Sequence, residues 1–173
     1  LIEFSKEEHK TPGYLALNPR GKVPTLKDGG YALSESIAIM AYLDRKYPDP
    51  PLFGGNAEES GRVWKAISDS MSYLEPAGNR IVVPIFFGTS EDNVDDIRDA
   101  MTDVRDELGL MERRVGAEDW LALGKLTAAD LAVYPFIETL LRAAGKDSAR
   151  PLDLGVLPFA ERYPAIEAWR QRI

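Results

Sequence analysis

The sequence predicts an α+β protein in two parts: a small mixed unit over residues 1–47 and an all-α helical bundle over residues 57–173, joined by a linker at residues 48–56. Three observations carry this expectation. Two short β-type runs, Val23-Pro24-Thr25-Leu26-Lys27 and Tyr31-Ala32-Leu33, flank Asp28-Gly29-Gly30, whose residues tolerate the positive φ of a hairpin turn. The run Pro48-Asp49-Pro50-Pro51-Leu52-Phe53-Gly54-Gly55 has the proline and glycine density of a connection between units. Beyond it, apolar residues recur at helical spacing and no alternating β-branched stretch appears.

Leu1-Ile2-Glu3-Phe4 is a short, apolar-rich strand candidate. Thr11-Pro12 supplies an N-cap and a proline at the first helical position, and Asn18-Pro19 closes the short helix that follows. After the hairpin, Ser34 is expected to cap a helix in which Glu35 meets the positive end of the dipole. Ile37, Met40, Ala41 and Leu43 line its inner side, and Pro48 stops it. Trp64, Ile67, Met71 and Leu74 recur at steps of three and four. Val94, Ile97, Met101, Val104, Leu108, Met111 and Val115 keep the same rhythm, which predicts two long helices side by side. Pro76 and Pro84 fall within the first and are expected to kink or break it. Thr127-Ala128-Ala129-Asp130 reads as a capping box with Asp in place of Glu, opening a helix with Leu131, Tyr134, Ile137 and Leu141 on one face and Gly145 as its C′ stop. Two shorter helices, over 159–163 and from Pro164 onward, close the chain with Trp169 as apolar anchor.

Composition narrows the function classes. The 173 residues carry 28 acidic against 21 basic side chains, a net charge of −7, with no Lys/Arg cluster to track phosphates. Nucleic acid is therefore not an expected partner. No apolar run approaches the roughly 20 residues of a membrane span, so no membrane association is expected. The absence of cysteine excludes disulfides, thiolate metal sites and a cysteine nucleophile within these residues. A single histidine, His9, argues against a zinc site of ordinary composition.

Three groups of residues could carry chemistry. At Val23-Pro24, a proline heading a strand cannot donate to a ladder and is able to adopt the cis form. The amide and carbonyl of Val23 then remain available to an extended peptide, as if the ligand were one more strand. Taken alone, the dipeptide reads as a proline-started edge strand. Glu35 and Ser36 stand at a helix amino end, where free amides and a hydroxyl suit a carboxylate and Glu35 suits an ammonium group. Together they fit the α-amino acid end of a γ-glutamyl peptide, although acidic and hydroxyl residues also decorate helix starts that bind nothing. His9, Lys10 and Lys22 are candidates for a carboxylate at the far end of such a peptide, which needs a positive charge or a strong donor, or they are solvated loop residues.

The stretch Asn18-Pro19-Arg20-Gly21-Lys22-Val23-Pro24-Thr25-Leu26, followed by Ser34-Glu35-Ser36-Ile37-Ala38-Ile39-Met40-Ala41-Tyr42-Leu43, resembles the glutathione site of the cytosolic glutathione transferase family, bacterial or theta-like members in particular. The resemblance covers almost the whole chain. It implies a partial thioredoxin-like first unit without its first strand and first helix, then an all-helical second unit. It further implies that Val23 and Pro24 hold the cysteinyl part of glutathione, Glu35 and Ser36 the γ-glutamyl end, and Lys22 and His9 the glycine carboxylate. Thr127 and Asp130 are implied to be structural. The catalytic residue is unknown; in the family a tyrosine, serine or cysteine of the first strand or helix stabilises the thiolate, and it is expected upstream of Leu1. The implied protein is a cytoplasmic, homodimeric detoxification enzyme, with glutathione as co-substrate and no metal, directing the thiolate at a hydrophobic electrophilic small molecule. Trp64, Tyr73, Arg80 and Phe86 are candidate walls for that second substrate, although a series such as Trp64, Ile67, Met71 and Leu74 is more often plain core or a dimer seam. Asp69 is a candidate to reach across a dimer. The alternative, from another class, is a non-catalytic dimerisation or docking module.

Overall fold

The computed structural model describes residues 2–173, and the chain separates into two compact units, the first ending at Leu52 and the second beginning at Phe53. The expected strand over residues 1–4 does not form: Leu1 lies outside the described residues, Ile2 and Glu3 have no regular structure, and Phe4–Lys6 is a 3₁₀ turn. Local bonds account for this. The amide of Lys6 donates to Glu3 O (3.2 Å) and that of Glu7 to Phe4 O (3.0 Å), so these donors are satisfied without a neighbouring strand. A second 3₁₀ turn, Glu8–Lys10, leads to α1 (Pro12–Leu15), where Thr11 Oγ1 accepts from the Tyr14 amide.

The hairpin pairs β1 (Thr25–Asp28) with β2 (Tyr31–Ser34), in the register Thr25↔Ser34 to Asp28↔Tyr31. Gly29, at φ +60°, supplies the left-handed turn residue. The first strand thus starts at Thr25, two residues later than the sequence suggested, because Pro24 has no amide to give a ladder. Ser34 ends β2 and does not cap the following helix, α2 (Ser36–Lys46); Glu35 occupies the N-cap position and makes no side-chain cap bond. The inner face expected for α2 is also corrected. Ile37, Met40 and Ala41 are half-buried and Leu43 is exposed, so this short unit encloses no fully buried residue on α2.

The second unit is helical: α3 (Ala57–Asp69), α4 (Glu75–Phe87), α5 (Val94–Glu118), α6 (Ala128–Ala144), α7 (Phe159–Arg162) and α8 (Pro164–Arg172). Its core runs along α5, where Ile97, Met101, Val104, Leu108, Met111 and Val115 are buried at the spacing the sequence displays. On α3 the buried stripe is Val63, Ala66 and Ile67, continued by Ser70 and Leu74. Trp64 (41% exposed) and Met71 (53%) stand outside it, which corrects their expected place beside Ile67 and Leu74. Between α3 and α4, Ser70–Leu74 forms a π-helical turn, and the Glu75 amide donates to Ser70 O. Pro76 explains the widening, since it lacks an N–H and its ring crowds the carbonyl one turn back. Pro84, by contrast, lies within an α4 that continues to Phe87.

The buried face of α6 comprises Ala129, Asp130, Val133, Ile137, Leu140 and Ala144, while Leu131, Tyr134 and Leu141 are half-buried. Gly145 ends the helix in a right-handed conformation at φ −78°, and so not as a left-handed C′ residue. The box at the start of α6 is closed by the Asp130 carboxylate, which accepts from the Thr127 amide (2.8 Å) and hydroxyl (2.9 Å). The same buried carboxylate accepts from the Leu121 amide (2.9 Å) and from Trp169 Nε1 (2.8 Å), joining the loop before α6 to α8.

Candidate functional site

The hairpin register decides which residues meet. Because Thr25 pairs with Ser34, the residues just before β1, Val23 and Pro24, and those just after β2, Glu35 and Ser36, emerge at the same open end of the hairpin. Adjacent strands lie about 4.8 Å apart, so the two dipeptides are near neighbours. The Val23–Pro24 bond is cis, and Val23 is 43% exposed. Among the described residues, neither its amide nor its carbonyl has a backbone partner. Glu35 sits at φ +72°, ψ 119°, a conformation that is costly for any residue with a Cβ. Held this way, it leaves the first amides of α2 without a side-chain cap, a concentration of free donors at the positive end of the helix.

The loop before this edge is built by Tyr14 and Asn18, to which the sequence assigned no part in the site. Tyr14 OH donates to Lys22 O (2.6 Å) and lies 2.8 Å from Thr25 Oγ1, while Asn18 Nδ2 donates to Lys22 O (2.8 Å) and Thr25 Oγ1 (3.2 Å). Asn18 Oδ1 accepts from the Arg20 amide (3.1 Å). Gly21 turns the chain at φ +57°, and a Cβ there would lie 3.1 Å from the carbonyl of His9. The segment carrying His9 and Lys10 is thereby packed against the residue next to Lys22. Asn18-Pro19 was legible as a helix stop, but nothing in its spacing pointed to the Lys22 carbonyl.

His9 is half-buried against Phe4, ring centroids 4.7 Å apart, and its Nδ1 has no hydrogen-bond partner among the described residues. Lys22 is exposed. At the opposite end of the hairpin, Asp28 accepts from Tyr42 OH (2.7 Å) and pairs with Lys46, tying the turn to α2. The Lys46 ammonium, then the Tyr42 hydroxyl, hold the Asp28 carboxyl below the usual carboxylate range, and Asp28 in turn pushes the Tyr42 phenol up.

In the helical unit, Asp69 pairs with Lys65 (2.6 Å) and Arg114 (3.8 Å) on its own chain. Beside it a cavity of about 270 Å³ is lined by Tyr73, Glu107 and Leu110 among others. Burial, and then the negative charge of Asp69, push the Glu107 carboxyl up. Trp64 packs on Phe53 (5.1 Å), Arg80 is held by Asp96 and Asp103, and Phe86 lies beneath Lys146 (5.0 Å) and Arg142 (5.7 Å). Among the described residues, no group of three or more His, Asp or Glu side chains is arranged to hold a metal ion, and no helix is long and apolar enough to cross a membrane.

A cis-Pro edge beside a strained residue opening a helix, followed by an all-helical unit, defines a class of thioredoxin-like ligand-binding proteins with a helical second domain. Residues 1–51 match the family model "Glutathione S-transferase, N-terminal domain", and residues 74–173 match "Glutathione S-transferase, C-terminal domain". The chain belongs to the glutathione S-transferase family. Glutathione S-transferase F10 of Arabidopsis thaliana is 33% identical over 153 residues, covering 84% of this chain and 70% of that protein. Glutathione S-transferase 2 of Schizosaccharomyces pombe is 30% identical over 195 residues, covering 100% of this chain and 77% of its own. Among solved structures, a Ser-to-Cys variant of poplar glutathione transferase F1 superposes with a TM-score of 0.79 at 26% identity, covering 99% of this chain and 77% of the poplar one.

Proposed function

We propose that this glutathione transferase binds reduced glutathione in extended form along the open end of the hairpin. The backbone of Val23, ahead of Pro24, pairs with the cysteinyl residue. Ser36 and the free amides of α2 take the γ-glutamyl carboxylate, and Glu35 accepts from its ammonium group. Lys22 and His9 meet the glycine carboxylate by charge and hydrogen bonding. A bound thiol whose pKa is lowered by a donor becomes the thiolate that attacks a hydrophobic electrophile, forming a carbon–sulfur bond as the leaving group departs with its electron pair. The reading includes a division into a glutathione-binding unit over residues 1–47, a linker at 48–56 and a helical unit over 57–173. It also includes a homodimer working in the cytoplasm in detoxification.

The observation that carries the reading is the backbone of Val23, which has no backbone partner among the described residues, next to the strained Glu35 at one end of a short hairpin. Backbone strain of this kind persists where the surroundings over-determine it, and a ligand site is a common reason. Calorimetric titration of reduced glutathione into the wild type and a Glu35→Ala, Ser36→Ala double variant tests it. Saturable binding is expected for the wild type, weakened at least tenfold in the variant by loss of a charged hydrogen bond and a hydroxyl. Equal affinity in the two proteins would remove Glu35 and Ser36 from the site.

A further inference from the structure

Tyr14 and Asn18 are both buried, at 8% and 2% exposure, in a unit with few enclosed side chains. Both reach the same two oxygens, Lys22 O and Thr25 Oγ1, which bracket Val23-Pro24 on either side: the Tyr14 hydroxyl donates to the carbonyl and accepts from the Thr25 hydroxyl, and Asn18 Nδ2 donates to both. The peptide bond between Lys22 and Val23 is trans. Its carbonyl and the following N–H therefore point in opposite directions across one rigid plane. With the Lys22 carbonyl drawn inward by two donors, at 2.6 and 2.8 Å, the Val23 N–H is turned outward. The Thr25 hydroxyl, on the far side of Pro24, is held by the same pair of side chains.

We propose that Tyr14 and Asn18 are positioning residues for glutathione. They form a clamp that holds the Lys22–Val23 peptide plane with its N–H facing the ligand, so that this donor is aimed before the tripeptide arrives. The inference rests on the reading that Val23 pairs with glutathione. Preorganisation of this kind strengthens binding because the segment is already ordered in the unbound protein. The clamp's two side chains touch no ligand themselves; their effect passes through the Val23 amide.

Calorimetric titration with reduced glutathione, together with the amide NMR signal of Val23, tests this on the full chain. Tyr14→Phe keeps the ring and removes one hydroxyl, Asn18→Ala removes the second donor, and Asp28→Asn loosens the other end of the same hairpin as a control. Expected for Tyr14→Phe is binding weakened about threefold to tenfold, the range of one neutral hydrogen bond, and Asn18→Ala falls at least as far. The Val23 signal shifts on titration in the wild type and becomes broadened or displaced in both variants before ligand is added. With a chlorodinitrobenzene as electrophile, KM for glutathione rises while kcat at saturating glutathione holds. Asp28→Asn lowers the thermal midpoint and leaves glutathione affinity unchanged. If the wild type binds and Tyr14→Phe binds equally well with an unmoved Val23 signal, the clamp is overturned and the glutathione site stands. An equal loss in Asp28→Asn also overturns it, since the effect would then be general loosening. A wild type that binds no glutathione overturns the site itself.

Discussion

Asp130 shows how one residue can hold several parts of a core. Its carboxylate is fully buried and receives four donors, from the Leu121 amide, the Thr127 amide and hydroxyl, and Trp169 Nε1. The Thr127 hydroxyl donates to it and accepts from the Ala129 amide at 3.3 Å, so each polar atom of the box is used. Removing the carboxylate strands every donor in a place water does not reach. Asp130→Ala is expected to cost about 3–5 kcal/mol, Thr127→Ala about 1 kcal/mol, and Trp169→Phe an intermediate amount, measured by urea unfolding. Glutathione affinity of any variant that still folds should be unaltered; a loss of affinity at full stability would contradict the structural role.

Elements of the helical unit are set by small residues and by carboxylates used as caps. Gly78 on α4 faces Phe136 of α6 so closely that a Cβ there would fall 2.4 Å from the ring's Cζ. Because that ring is half-buried in α6, the helices must separate or the ring must turn out. Gly78→Ala, which raises helix propensity in isolation, is therefore expected to destabilise the protein by about 1–3 kcal/mol through overpacking. Gly78→Ala combined with Phe136→Ala should recover part of that loss, and the coupling read from a double-mutant cycle checks the contact. The first turn of α8 is capped from another helix, with Glu112 of α5 accepting from the amides of Ala165 (2.7 Å) and Ile166 (2.9 Å). That arrangement satisfies two amides that Tyr163, at the N-cap position of α8, leaves with no side-chain cap.

For the whole molecule, Asp28, Asp96 and Glu107 contribute to the response to acid. Asp28 beside Lys46 and Tyr42, and Asp96 beside Arg80, have folded pKa values lowered below the unfolded ones. Each contributes stability that is present above the usual carboxylate range and lost as pH falls through the folded value. Glu107 is raised, so its contribution has the opposite sign: ionisation destabilises the fold as pH climbs past the usual range, and protonation removes that penalty. The expected outcome is a thermal midpoint that falls between pH 5 and about pH 3. An Asp28→Asn, Asp96→Asn variant should start lower at pH 7 and converge on the wild type in acid. A constant gap between the two curves would remove these pairs from the account.

Features written in local chemistry could be read directly from the chain. The Asp28-Gly29-Gly30 turn, the rhythm of α5 and the Thr127 to Asp130 box each follow from residues within a few positions of one another. The family was legible for the same reason, since the Val23-Pro24 and Glu35-Ser36 signals are short. The folded structure settled matters that depend on distant partners. It exposed Trp64 and Met71 by rotating the buried stripe of α3 to Val63 and Ala66. It also set Glu35 at positive φ and brought Tyr14 and Asn18 onto one carbonyl. Apolar periodicity specifies that a helix has an inner face; which neighbour covers it, and which carbonyl a buried hydroxyl finds, are settled by packing between segments far apart in the chain.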